Sequence, residues 1–232
     1  LLCSIIGGAI VGIVGERIAF RKITVRGSST FYFFVSSLTW GTFLEQIVTI
    51  RVGSTFRSYP RFFESLVIRL GPDGQFAVST VDVFMLGSSL VGLVVLFVLL
   101  NKTKFGRAIR AASFDRDTTY LMGIDVYRVI QITFMLAGAL AGLAGVFLGI
   151  TYTLTAQLGS NIVVKGLIAS VIGGLGNVWG AVIGALMLGI VENILIYFVG
   201  SGWAPVGTFA IMLVFLLIRP QGLFGVLVQD KA

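Results

Sequence analysis

Apolar residues in this chain come in seven runs, at 1–14, 29–50, 76–100, 129–150, 162–175, 179–199 and 205–218, with short polar segments between them. A run of about 20 such residues has the length of the hydrocarbon core, and there each backbone N–H and C=O must be satisfied within the segment, which a helix achieves and a lone strand does not. The charge content agrees. Only 12% of residues are charged and 56% are hydrophobic, whereas soluble domains carry about 25% charged residues. The expected fold class is all-α, a polytopic transmembrane helix bundle of about seven spans, forming a single domain over 1–232. The chain opens at Leu1 without an initiator Met and already inside an apolar run, so an amino-terminal span or spans are expected to be missing.

Lys and Arg set the orientation. The segment 101–128 carries six of the seventeen basic residues, Lys102, Lys104, Arg107, Arg110, Arg116 and Arg128, and is therefore read as cytoplasmic. If 162–175 crosses, twelve basic residues lie inside and four outside, with Lys165 left near an interface. If it re-enters, Arg219 and Lys231 move outside. The first alternative fits the charge rule better. The connector with Arg17, Arg21, Lys22 and Arg26 then lies inside, and 51–75 lies outside, where Phe62, Phe63, Leu66 and Val67 are expected to form a short surface helix. A net charge of +7 needs no nucleic acid to explain it, because the basic residues sit in short loops where topology requires them. There is no His and one Cys, Cys3, so an imidazole base, a histidine-ligated metal and an internal disulfide are all excluded.

Within 101–128 the punctuation is that of a short helix. Ser113 or Asp115 can cap its start, Gly123 suits a left-handed closing position, and about eight residues lie between. So short a helix must lean on the membrane domain or on a partner. Tyr120, Leu121 and Met122 give it an apolar tip suited to a groove. Composition alone favours a solvated loop whose Arg residues only fix orientation.

A second informative stretch is 165–192. Gly176, Gly180 and Gly184 recur at four, as do Ala181, Ala185 and Gly189, and rows of small residues let helices approach closely in lipid. Ala137, Ala141, Gly145 and Gly149 form one such row in 129–150, and Gly138 with Gly142 another. Gly173, Gly174, Gly176 and Asn177 interrupt the helical pattern and are expected to leave backbone groups free beside a translocation path. This is not a nucleotide loop, since G-x-x-x-x-G-K-[ST] is absent; ATP, if used, is bound by another polypeptide. Glu45 and Glu192 are intramembrane acids and so functional candidates. Glu192 can face the bundle interior, line the path, or pair with Lys165 or an Arg. A faint echo relates Gly8 and Glu16 to Gly184 and Glu192, on helices running in opposite senses, as in an inverted repeat, but Gly-Ala pairs are frequent in membrane helices and chance explains it better.

The wording of these stretches resembles permease subunits of ABC importers of the branched-chain amino acid (LIV) family, in the shorter of its two types. The loop pattern G-R-A-x-R-A-x-x-x-D followed by L-x-G-I-x-x-x-R is met by Gly106, Arg107, Ala108, Arg110, Ala111, Asp115, Leu121, Gly123, Ile124 and Arg128. A Lys-Gly leading to Ile-Gly-Gly-x-Gly and Gly-Ala-x-x-Gly-Ala is met by Lys165, Gly166, Ile172, Gly173, Gly174, Gly176, Gly180, Ala181, Gly184 and Ala185. Two further pieces, from Glu16 to Arg21 and from Arg219 to Gly225, extend the resemblance over nearly the whole chain. It implies a prokaryotic inner-membrane subunit that is not itself an enzyme and holds no cofactor. It also implies partners: two ABC ATPase subunits docked on Gly106, Arg107, Arg110, Asp115, Leu121, Gly123 and Ile124, a second related permease subunit, an extracytoplasmic solute-binding protein, and lipid. A stand-alone secondary transporter or channel would need an ion relay, for which intramembrane acids are few. An intramembrane enzyme would need a metal motif or a nucleophile elbow, and the sequence has neither.

Overall fold

The computed structural model describes residues 1–25, 30–53, 67–70, 76–174, 176–219 and 222–224. The helical expectation holds. The helices are α1 (Leu2–Gly15), α2 (Arg21–Val25), α3 (Thr30–Val52), α4 (Thr80–Lys102), α5 (Lys104–Phe114), α6 (Arg116–Leu121), α7 (Val126–Thr151), α8 (Leu158–Gly173), α9 (Val178–Val199) and α10 (Ala204–Ile218). One short antiparallel hairpin interrupts them, β1 (Val67–Leu70) on β2 (Phe76–Ser79), in the register Val67 to Ser79 and Leu70 to Phe76. The surface helix expected through Val67 is therefore corrected at that residue, which lies on a strand; Phe62, Phe63 and Leu66 lie outside the described residues.

Among the described residues four helical stretches are long and apolar enough to cross a membrane, Leu2–Thr24, Thr80–Lys102, Val126–Thr151 and Val178–Val199. The other three expected spans fall short for two reasons. Helix α3 has 23 residues, but Ser36, Ser37, Thr39, Thr42, Glu45 and Gln46 lower its hydropathy; Thr39, Thr42 and Thr49 return their hydroxyls to carbonyls of their own helix. Helices α8 and α10 have 16 and 15 residues and rise only about 24 and about 22 Å, against a core of about 30 Å.

The chain forms two compact units, Leu1–Ala156 and Gln157–Ala232. In the first, α1 runs antiparallel to α7 with backbones almost touching. A Cβ on Gly8 would overlap the Gly138 carbonyl oxygen, and one on Gly12 the Phe134 carbonyl oxygen. Ser4 Oγ donates to the Gly142 carbonyl across this seam at 2.9 Å. Of the two small-residue rows expected on α7, the Gly138–Gly142 row makes the contact, while a Cβ on Gly145 would meet open space. The first helix also does not stop near Val14. It runs on through one π-helical turn, Glu16–Phe20, into α2, because no breaker intervenes and the Phe20 ring packs on Phe134 with centroids 4.8 Å apart. The expected polar connector is thus largely helix. Its Glu16 is 3% exposed, and its Oε2 has no hydrogen-bond partner among the described residues.

In the second unit α8 and α9 form an antiparallel hairpin on the same principle. Cβ atoms on Gly180 and Gly184 would overlap the carbonyl oxygens of Gly173 and Ala169. Ile168, Ala169, Ile172 and Leu188 form its core, with Met212 and Phe215 of α10 packed against them.

Candidate functional site

The segment between α4 and α7 is more ordered than a solvated loop. Thr103 caps α5, its hydroxyl accepting from Gly106 N–H at 3.2 Å. Phe105, Ala108, Ile109 and Ala112 recur at helical spacing and pack with Ile124, Val126, Val129 and Ile130. Gly106 is buried where a Cβ would overlap the Leu100 backbone, and Arg110 donates to the Leu100 carbonyl at 2.6 Å. These two residues join α5 to the end of α4, satisfying one of the carbonyls that every helix terminus leaves open.

Beyond α5 the chain turns at Asp115, whose carboxylate accepts from the N–H groups of Asp117 (3.0 Å) and Thr118 (3.2 Å) and from the Thr118 hydroxyl. The Thr118 hydroxyl first, and its N–H second, hold this carboxyl below the ordinary aspartate value of 3.8. Helix α6 closes with Gly123 N–H to Tyr120 O at 3.0 Å and Ile124 N–H to Thr119 O at 3.3 Å, Gly123 having φ +79°. That pair of bonds is a Schellman closure, and it needs a residue that tolerates positive φ. Between these two stops the apolar side chains of Tyr120, Leu121 and Met122 are exposed, Leu121 at 84%, and Phe114, the last residue of α5 before the Asp115 cap, is 89% exposed.

Of the expected docking residues, Arg107, Arg110, Asp115, Leu121 and Gly123 are exposed, Gly106 is buried and Ile124 half-buried in the α5–α7 cluster. The sequence signals above lead to one helix here, and the structure has two, α5 as well as α6. The spacing 105, 108, 109, 112 is an amphipathic signal that finds α5. Phe114 is not among the residues those signals single out.

The second candidate lies on the α8–α9 hairpin. Lys165 Nζ on α8 contacts Glu192 Oε1 on α9, one of the pairings open to Glu192 in the sequence. The side chains are 45% and 21% exposed, so the pair is not sealed inside its unit. The interrupted stretch between the helices differs from expectation. Gly173 and Gly174 are buried, and few backbone groups there are free. The Ile172 and Gly173 carbonyls accept from Leu223 N–H (2.8 Å) and Phe224 N–H (3.1 Å), Gly174 N–H donates to Ser170 O (3.0 Å), and Asn177 N–H returns to Gly174 O at 3.2 Å. The Asn177 side chain caps α9, accepting from Trp179 N–H at 3.0 Å, and Gly176 forms the exposed corner at φ +91°. The C-terminal piece Gly222, Leu223, Phe224 thus closes the end of α8, a long-range role that local sequence does not reveal. Among the described residues no group of His, Cys, Asp and Glu is placed to hold a metal.

A family profile described as the permease component of branched-chain amino acid transport systems matches residues 1–218. The high-affinity branched-chain amino acid transport system permease protein LivH of Salmonella typhimurium is 31% identical over 213 residues, covering 90% of this chain and 68% of that protein. The probable branched-chain amino acid transport permease protein LivH of Methanocaldococcus jannaschii is 34% identical, over 94% of this chain and 71% of its own. The high-affinity branched-chain amino acid transport system permease protein BraD of Pseudomonas aeruginosa is 28% identical, over 96% and 72%. No solved structure is a significant match. With four apolar spanning helices and this family match along nearly its whole length, the chain is a multi-pass membrane protein and belongs to the branched-chain amino acid permease family, the membrane components of ABC importers.

Proposed function

We propose that this permease carries branched-chain amino acids inward across the cytoplasmic membrane, the inner membrane where a cell has two, and that its power stroke enters through α6. The observation that carries this reading is the exposed apolar tip of Tyr120, Leu121 and Met122, held between the Asp115 cap and the Gly123 closure, with the exposed Phe114 just before the cap at the end of α5. A solvated loop has no reason to present three apolar side chains on a doubly capped turn of helix, whereas a groove in an ATPase subunit does. Gly106 and Arg110 serve the same end by fixing α5 to α4, so that a push on the tip reaches a spanning helix. ATP binds in the ATPase partners, and their closure favours one of two membrane-domain states by binding it more tightly. This chain holds no cofactor of its own. A second related permease and an extracytoplasmic solute-binding protein complete the importer.

Within the single permease domain of 1–232, α3, α8 and α10 cross as well, giving seven passes in the sense that the Lys and Arg balance favours. Glu192 faces the translocation path. The turn of Gly173, Gly174, Gly176 and Asn177 shapes the end of the hairpin that presents it. The test is uptake of radiolabelled leucine into liposomes holding the assembled importer. The reading expects uptake that requires internal or external ATP on the ATPase face and fails with a non-hydrolysable analogue. Uptake by the chain alone, driven by an ion gradient, would replace it with a secondary transporter.

A further inference from the structure

The Lys165–Glu192 pair sits where neither charge is stable alone. Glu192 lies seven residues before the end of α9 at Val199, about 10 Å along the helix. On either side of that end are the exposed Tyr197 and Trp203, the residue types that collect at a membrane interface. Glu192 is five residues before Tyr197, so the pair lies roughly 8 to 10 Å inside that interface, where a lone Lys or a lone acid is costly. A half-exposed pair at that depth is poorly placed against lipid. It belongs beside water or protein.

One glycine leaves room beside it. Gly189 precedes Glu192 by three residues and so shares its face. An added Cβ there would meet nothing within 4 Å, in contrast to Gly173, Gly180 and Gly184 further along the same hairpin, whose space is filled by backbone. One turn nearer the interface on each helix are Ile162 and Ile196, both partly exposed. The result is an open notch with one positive and one negative group at its side and apolar side chains along its wall.

An α-amino acid presents an ammonium and a carboxylate on one carbon. We infer that the transported amino acid exchanges into the Lys165–Glu192 pair, its ammonium taken by Glu192, its carboxylate by Lys165, and its branched side chain laid on the apolar wall. This rests on the reading that Glu192 faces the path. Each ion trades one opposite partner for another and the net charge stays zero, so the pair opens without leaving an uncompensated charge in the membrane. No bond is made or broken. The exchange needs both charges, whereas a purely structural pair can be replaced by two apolar residues at little cost.

The test uses the full importer in liposomes, reading ATP-driven uptake of radiolabelled leucine and receptor-stimulated ATP hydrolysis. Loss of a charge-assisted contact to the head group predicts at least about a tenfold fall in uptake for Lys165→Met, Glu192→Gln and the double Lys165→Met/Glu192→Met, with hydrolysis retained. Wild-type uptake by the double variant would overturn the inference and leave a structural tie. Where the charge variants do not assemble, Gly189→Val decides, since within its unit the new side chain enters open space. An assembled, hydrolysing importer that no longer takes up leucine supports the inference. Wild-type uptake by this variant, or its failure to assemble because a neighbouring subunit fills the notch, overturns it. Failure of the unsubstituted importer to take up leucine would instead count against the transport reading itself.

Discussion

In the first unit Gly8 and Gly12 of α1 meet Gly138 and Phe134 of α7; in the second Gly180 and Gly184 of α9 meet Gly173 and Ala169 of α8. Both seams are antiparallel, both bring backbone to within contact, and both use small residues at spacing four. They differ in what else they carry. Beyond its glycines the α1–α7 seam has the Ser4 to Gly142 hydrogen bond, made by a neutral side chain. The α8–α9 seam continues into the Lys165–Glu192 ion pair. Since α1 and α7 hold together without such a pair, an antiparallel helix pair of this kind does not need one. Charge kept where it costs and is not needed for packing points to work done on a solute.

The sharpest way to break this comparison is to remove the feature the seams share. Gly8→Leu and Gly184→Leu force a side chain into neighbouring backbone, which cannot move aside as a side chain can, at a cost of about 3 kcal/mol, the upper end for overpacking. Each is expected to abolish the monodisperse peak in size-exclusion chromatography after detergent extraction. Gly145→Leu, whose position is open, should leave the peak unchanged. Equal yields from Gly184→Leu and Gly145→Leu would show that the α8–α9 contact does not hold the fold.

A smaller and more selective effect is expected away from both seams. Leu121→Asp, and the pair Arg107→Glu and Arg110→Glu, should leave extraction and yield unaltered and lower ATP-driven uptake by at least about tenfold, as loss of an interface anchor does. Arg110→Glu alone also withdraws the donor from the Leu100 carbonyl, so it should speed hydrogen exchange at the end of α4 while Arg107→Glu does not.

Asp115→Ala removes the α6 cap and should accelerate exchange in α6 only. The pH dependence has a definite sign. The folded carboxyl is held below 3.8, so its contribution is complete above that value and is lost as pH falls through the folded one. Exchange protection of α6, corrected for intrinsic rate, should be flat from neutral pH to about 5 and decline only below 3.8. Last in size, Ser4→Ala deletes the side-chain hydrogen bond to Gly142 on the α1–α7 seam and should cost about 0.6 kcal/mol, seen as a shift of under a few degrees in thermal unfolding.

What could be read from the sequence depended on range. The cap at Asp115 and the closure at Gly123 are local signals, each set by residues within four positions, and both lie where the spacing predicts. The glycine rows were legible as rows, but which of two rows on α7 meets α1 is decided by a helix more than a hundred residues away, and it is Gly138 and Gly142 that do. The Gly173 carbonyl is free by local sequence because its donor, Phe224 N–H, comes from the far end of the chain. The first helix was ended too early because its charges, Glu16, Arg17, Arg21 and Lys22, suggest a loop, while Phe20 packing on Phe134 keeps it helical. The Lys165–Glu192 pairing was one of several options in the sequence, and the antiparallel register of α8 on α9 selects it.

The central claim is that force from an ATPase partner enters this permease through the apolar tip of α6. The most direct measurement is co-purification of the tagged chain from native membranes in mild detergent, comparing the intact protein with Leu121→Asp. The account predicts that an ATPase subunit accompanies the intact chain and is lost from the variant, whose yield is unchanged. An ATPase subunit retained in full by Leu121→Asp, with uptake intact, would contradict it.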